Sequence, residues 1–184
     1  MRKTLTAGLL LLVATLAGFA QTQAPPTRGP STAEERKRFV AIAHKMEESP
    51  LDPALRKERD WALRWLIAIP DITVDACYTT EILKGFANSQ YRYIAEVNGQ
   101  YSFSMAVFMI EHPDKAKDAA ATNTAGAEGA VKAYRAILRS DPEAQSRVLE
   151  DLSARQREGK LADFVKEATK QPCKNPDSGD DSSS

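Results

Sequence analysis

Apolar residues recur along this chain at three- and four-residue spacing, segment after segment, with no convincing run of period two. The pattern predicts helices rather than a sheet. Ser31 and Glu34 have the spacing of a capping box. Phe39, Ile42, Ala43 and Met46 follow on one face, predicting a first helix to about Glu48. Asp52 then Pro53 predicts a second start, because proline lacks only an N–H that the first helical turn leaves unpaired anyway. Leu55, Ala62, Trp65, Leu66 and Ile69 supply the stripe of that helix, and Pro70 ends it. Thr73 is placed to cap a third helix carrying Val74, Cys77, Tyr78, Ile82 and Phe86. Cys77 then lies on the inward stripe, with its thiol expected to be buried.

Gly85 and Asn88 mark a break before a long helix from about Gln90 to Glu111, which carries Ile94, Val97, Tyr101, Met105, Phe108 and Met109 and is stopped by Pro113. Gly99 is a weak point within it. Asp114 is expected to cap a fifth helix to about Ser140, whose inner face is first small (Ala116, Ala119, Ala120, Asn123, Ala127) and then larger (Val131, Tyr134, Ile137, Leu138). Asp141 and Pro142 repeat the cap-and-proline signal for a sixth helix with Val148, Leu149 and Leu152. Gly159 separates it from a last helix bearing Leu161, Phe164, Val165 and Ala168. Six to seven helices with short links imply an all-α single domain, either a bundle or a short stack of helical hairpins.

The stretch Ala130–Ala144, A-V-K-A-Y-R-A-I-L-R-S-D-P-E-A, resembles the second helix and exit turn of a tetratricopeptide repeat. A stack of such repeats would imply peptide binding in a concave face. The preceding segment, Asp114–Gly129, lacks the Trp, Leu-Gly and Tyr positions of that family, and no period of about 34 residues recurs.

The ends of the chain change the picture from architecture to compartment. Arg2 and Lys3 precede an apolar run from Leu9 through Phe19 and then small residues, the order of an export signal, so residues 1–24 are expected to be cleaved, after Ala20 or Ala24. The apolar run from Ala7 to Ala20 is shorter than the ~20 residues a membrane-spanning helix needs. Residues 25–30 read as a flexible leader, residues 31–173 as the helical domain, and residues 174–184, rich in Asp and Ser, as a tail unable to bury a core. The protein is therefore expected in the periplasm or outside the cell, with no stable membrane insertion once the signal is removed. In that oxidising space Cys77 and Cys173, the chain's two cysteines, are expected to form one disulfide. Closing a loop of that length is worth roughly 4 to 5 kcal/mol in the chain-entropy model.

Charge and candidate chemistry narrow the function. Without Arg2 and Lys3 the chain keeps 23 of its 25 basic residues against 25 acidic ones, and the signs alternate, as in Glu34, Glu35, Arg36, Lys37, Arg38. Nucleic-acid binding needs a concentrated basic patch, so that class is excluded. His44 with Glu47 and Glu48 gives H-x-x-E-E, but the second histidine that zinc-hydrolase motifs place one turn away is missing. His112, between Glu111 and Pro113, suits a helix C-terminus, where a protonated imidazole meets free carbonyls. No serine stands in a nucleophile setting, and no metal or cofactor is implied.

The aromatic set is the remainder. Tyr91, Tyr93, Tyr101, Phe103 and Phe108 fall in the predicted long helix without sharing a face. Either that helix is central and buried all round, or Tyr93, Tyr101 and Phe103 contribute to a contact surface. Trp61 and Trp65, one turn apart, read as packing. The resulting expectation is a non-catalytic protein that binds another protein or peptide. The alternatives are a small envelope inhibitor or immunity-type protein, or a hydrolase using acidic residues or His44.

Overall fold

A computed structural model describes residues 28–74, 77–83, 86 and 90–170. Residues 1–24 (expected to be a cleaved signal), the break at Gly85 and Asn88, Cys173 and the acidic tail lie outside these residues. The described residues form seven α-helices and no strand: α1 Ala33–Glu48, α2 Arg56–Ala68, α3 Cys77–Ile82, α4 Ile94–Glu111, α5 Ala119–Ser140, α6 Arg147–Arg157 and α7 Leu161–Ala168. Among them no helix is long and apolar enough to cross a membrane.

The helix α4 is the axis of the fold. Its apolar positions run round the helix rather than along one stripe, and it is buried on two opposite sides, the behaviour expected of a central helix. One side gives Val97, Tyr101 and Met105 to a core shared with α5, α6, α7 and the α3 region, around Ile82, Phe86, Val131, Tyr134, Leu149, Leu152 and Val165. The other gives Phe103, Ala106 and Val107 to a second core with α1 and α2, around Phe39, Ile42, Met46, Trp65 and Ile69. The first core is tightened by small residues. A Cβ built on Gly129 would lie 1.9 Å from the Ser104 hydroxyl oxygen, and one on Gly126 would lie 2.8 Å from both Met105 and Tyr101. The axes of α4 and α5 therefore approach too closely for any side chain at these two positions. The second core is aromatic. The Phe39 ring lies 4.7 Å from Trp65 and 5.3 Å, edge-on, from Phe103, while Trp61 stacks on Trp65 at 5.9 Å.

Several boundaries move from where the sequence pattern puts them, each for a visible reason. The capping box is Thr32 with Glu35, one residue later than Ser31 with Glu34. Ser31 is taken by Asp71, whose carboxylate accepts from the Ser31 N–H at 2.8 Å and from its hydroxyl at 2.6 Å. Asp52 caps a single 3-10 turn, Pro53–Leu55, that leads into α2. Asp114 likewise lies in a 3-10 turn, and Asp118 caps α5 by accepting from the Ala121 N–H. Helix α3 is six residues long, and Cys77 at its start is half-buried rather than enclosed.

The largest departure is the stretch 141–146, expected to open the sixth helix and found instead as a turn, closed by the Ala144 N–H on the Asp141 carbonyl at 3.0 Å, followed by non-helical residues ahead of α6. Three tyrosines hold it. Tyr93 donates to the Asp141 carboxylate at 2.7 Å, Tyr91 donates to the Ala144 carbonyl at 3.1 Å, and the Tyr134 hydroxyl accepts from the Ser146 N–H at 3.1 Å while donating to Glu150 at 2.6 Å. Asp141, also paired with Arg92 at 3.0 Å, is thereby diverted from capping. The same bonds keep Tyr91 and Tyr93 ahead of α4, which begins only at Ile94. Gly159, at φ +70°, separates α6 from α7 as its sequence position suggests.

Candidate functional site

The residues the sequence singles out are dispersed. Tyr101 is 1% exposed and sits in the α4–α5 core, where its hydroxyl donates to the Asn123 side-chain oxygen at 2.7 Å, and Asn123 in turn donates to the Ala119 carbonyl. This is a satisfied buried pair and offers nothing to a surface partner. Tyr93 is half-buried and committed to Asp141. A contact surface built from Tyr93, Tyr101 and Phe103 together is therefore not formed. Phe103 alone, 2% exposed in the α1–α2 core, also contributes to the wall of a cavity described below.

The tyrosines also hold their protons more firmly than free phenols. Burial, and then the bond to Glu150, pushes the Tyr134 phenol up to about 12. The bond to Asp141 raises Tyr93, and burial raises Tyr91 and Tyr101. All four stay neutral and act as hydrogen-bonding posts.

His44, Glu47 and Ser104 do converge, at the junction of α1, α4 and α5. Ser104 donates to Glu47 Oε1 at 3.1 Å, Gln100 donates to Ser104 at 3.0 Å, and Glu47 Oε2 meets Lys132 Nζ at 3.3 Å and His44 Nδ1 at 3.5 Å. The order is wrong for nucleophilic catalysis. A serine nucleophile needs the imidazole against its hydroxyl, and here the hydroxyl donates to the carboxylate while the histidine lies on that carboxylate's other oxygen. Ser104 is also 6% exposed. The cluster pins α1 to the close α4–α5 contact at Gly129. Among the described residues no three His, Cys, Asp or Glu side chains are grouped so as to hold a metal ion. His112 lies at the C-terminus of α4 with its ring 4.7 Å from Phe108.

The feature that a simple core does not explain is on α2. Leu63 is 48% exposed and Ile67 is 76% exposed, one turn apart on the outer face. The sequence stripe assigns α2 its inner face correctly and passes over these two residues. The signal available was that α2 carries more apolar positions than one stripe needs. Beside Leu63 lies a cavity of about 130 Å³ between α1, α2 and α4, walled by Met46, Pro50, Ala95, Phe103 and the bare backbone of Gly99. A Cβ on Gly99 would meet nothing within 4 Å, so this glycine leaves open space at the cavity. Arg59 and Glu96, 3.6 Å apart, also line it. That volume is close to the ~150 Å³ of an apolar cavity known to accept a benzene ring, so it suits one aliphatic or phenyl side chain.

Two larger cavities, each about 380 Å³, are less suited to an apolar group. One, between α5 and α7, opens widely to solvent and carries Lys115, Glu128, Asp163 and Lys166 with its alanines. The other includes Arg36 and Asp71, which are already bonded to each other at 2.7 Å. No family model, characterised protein or solved structure matches the chain.

Proposed function

We propose that this is an exported, non-catalytic helical binding protein that takes an apolar side chain of another protein or peptide into the α1–α2–α4 cavity, with Leu63 and Ile67 as the flanking contact surface. The observation that carries this reading is the adjacency of two exposed aliphatic side chains to a mostly apolar cavity of one-side-chain size. Contiguous exposed apolar surface beside a concavity favours binding over either feature alone. The export signal at residues 1–24 supports a periplasmic or extracellular setting.

A Cys77–Cys173 disulfide belongs to the same proposal. No free thiol is found among the described residues, and α3, which begins at Cys77, packs against α7, the helix that ends five residues before Cys173. Such a clasp would hold the last helix to the third. Thiol titration of the oxidised mature protein checks it, with none expected and two contradicting it.

The test of the binding reading is a pull-down from envelope extract with the mature oxidised protein and with a Leu63→Ser/Ile67→Ser double variant. The wild type is expected to retain a specific partner that the variant loses. Equal retention by both, or no reproducible partner, contradicts the reading.

A further inference from the structure

The outer face of α2 carries charge as well as apolar surface, and the two are ordered. Arg56, Asp60, Leu63 and Ile67 fall on one row of the helix, since positions four, seven and eleven residues on return to nearly the same angle. Lys57 and Arg64 lie along one flank of that row. On the other flank Arg59 faces α4, paired with Glu96. Arg56, Lys57, Asp60 and Arg64 are all exposed, and among the described residues none of them is held in an ion pair. Three of these four charges are basic. The chain as a whole is balanced, with 25 basic and 25 acidic residues, so the excess here is local. The apolar row is therefore bordered by guanidinium and ammonium groups that, among the described residues, form no ion pair, with Asp60 the one carboxylate on the row.

We infer that the partner segment is an acidic amphipathic helix, which seats one apolar side chain in the cavity beside Leu63, covers Ile67 with a second one turn away, and turns carboxylates toward Lys57 and Arg64. This rests on the binding reading above and adds the chemistry of the partner. Helix-in-groove recognition reads apolar anchors at one-turn spacing, which is the spacing of the cavity-lining Leu63 and Ile67. Opposite charge on the rim sets orientation and speeds encounter more than it adds affinity, so the basic flank selects among apolar partners. An anionic membrane surface would satisfy the charges and bury Ile67, but it has no use for a concave, one-side-chain cavity beside Leu63. A protein side chain fills one.

The test uses two stapled helical peptides with the same leucine face, one flanked by glutamates and the other by lysines, titrated by fluorescence anisotropy against the mature oxidised protein, with phosphatidylglycerol vesicles as a third probe. The glutamate peptide is expected to bind at least tenfold more tightly than the lysine peptide and to weaken as salt rises. Leu63→Ser/Ile67→Ser should abolish its binding. Lys57→Glu/Arg64→Glu should remove or reverse the preference, and Arg64→Gln should reduce it part-way with the fold unchanged by circular dichroism. Equal binding of the two peptides, a preference indifferent to charge reversal, binding to vesicles alone, or binding of neither peptide would each overturn the inference. If the envelope partner is still lost from the Leu63→Ser/Ile67→Ser variant in such a case, the binding reading stands and only the acidic character of the partner is wrong.

Discussion

The two sides of α4 solve the same packing problem differently. Toward α5 the interface is close and polar groups inside it are paired, with Gly126 and Gly129 admitting the neighbouring helix and Tyr101 bonded to Asn123, while Ser104, beside Gly129, is bonded to Gln100 and to Glu47 of α1. Its far margin is sealed by the tyrosine posts on residues 141–146. Toward α1 and α2 the interface is built from large rings, Phe39, Trp65 and Phe103, and it ends at an unsealed edge where Leu63 and Ile67 stand in solvent beside a cavity. Rings of that size keep helices apart and leave a gap at the rim, whereas glycines close it. The difference separates surface that the fold consumes from surface that it leaves available, and the available surface is on the aromatic side.

The contrast can be broken first at its centre. Phe103→Ala should cost about 3 to 5 kcal/mol in urea unfolding, the usual cost of emptying a buried aromatic site. A loss below ~1 kcal/mol would mean that the α1–α2 side is not a true core and that the distinction between consumed and available surface fails there. Gly129→Ala tests the other side. The added methyl would overlap Ser104, whose surroundings are held by Gln100 and Glu47, and a destabilisation of about 3 kcal/mol is expected, at the upper end of ordinary overpacking. Near-wild-type stability would show that the α4–α5 contact is looser than its glycines imply.

A smaller effect comes from the edge of the aromatic side. The Asp71 carboxyl is held at about 2. Burial opposes its charge, but bonds from the Ser31 hydroxyl, the Ser31 N–H and Arg36 outweigh that. A folded value below the unfolded one, 3.8, means that the stabilisation is fully present above about pH 4 and is lost as pH falls through about 2. Allowing for solvent screening of this partly exposed group, Asp71→Asn should cost about 1 kcal/mol at pH 7, and the deficit should shrink as pH falls from 4 toward 2. A pH-independent deficit would assign the effect to shape rather than charge. The smallest effect is the most telling one. Ile67→Ser should change stability by no more than about 0.5 kcal/mol, as an exposed substitution does, because the fold has not used that side chain.

Much of this architecture is legible in the residues. The stripes of α1 and α2, the existence of the long helix α4, the stop at Pro113 and the turn at Gly159 follow from periodicity and from backbone restrictions that act locally. The stretch 141–146 was not legible. Asp141 followed by Pro142 is a sound local helix start, and tertiary bonds from Tyr91, Tyr93 and Tyr134, each many residues away or on another element, hold the segment as a turn and a non-helical link instead. The shift from Ser31 to Thr32 as helix cap has the same origin, since Asp71 lies forty positions from Ser31. The site was less legible still. An aromatic cluster on a central helix draws the eye, but burial is decided by neighbours that periodicity does not name. The exposed pair Leu63 and Ile67 looks unremarkable until the cavity beside it is seen.

The central claim is that the outer face of α2, and not the groove between α5 and α7, is where a partner docks. A photo-crosslinking amino acid placed at Ile67 and, separately, at Lys166 in the mature oxidised protein, irradiated in envelope extract, tests it directly. A single reproducible protein adduct from position 67, absent from position 166 and competed away by the glutamate-flanked peptide, is the predicted result. Adducts of equal yield at both positions, or from position 166 alone, would contradict it.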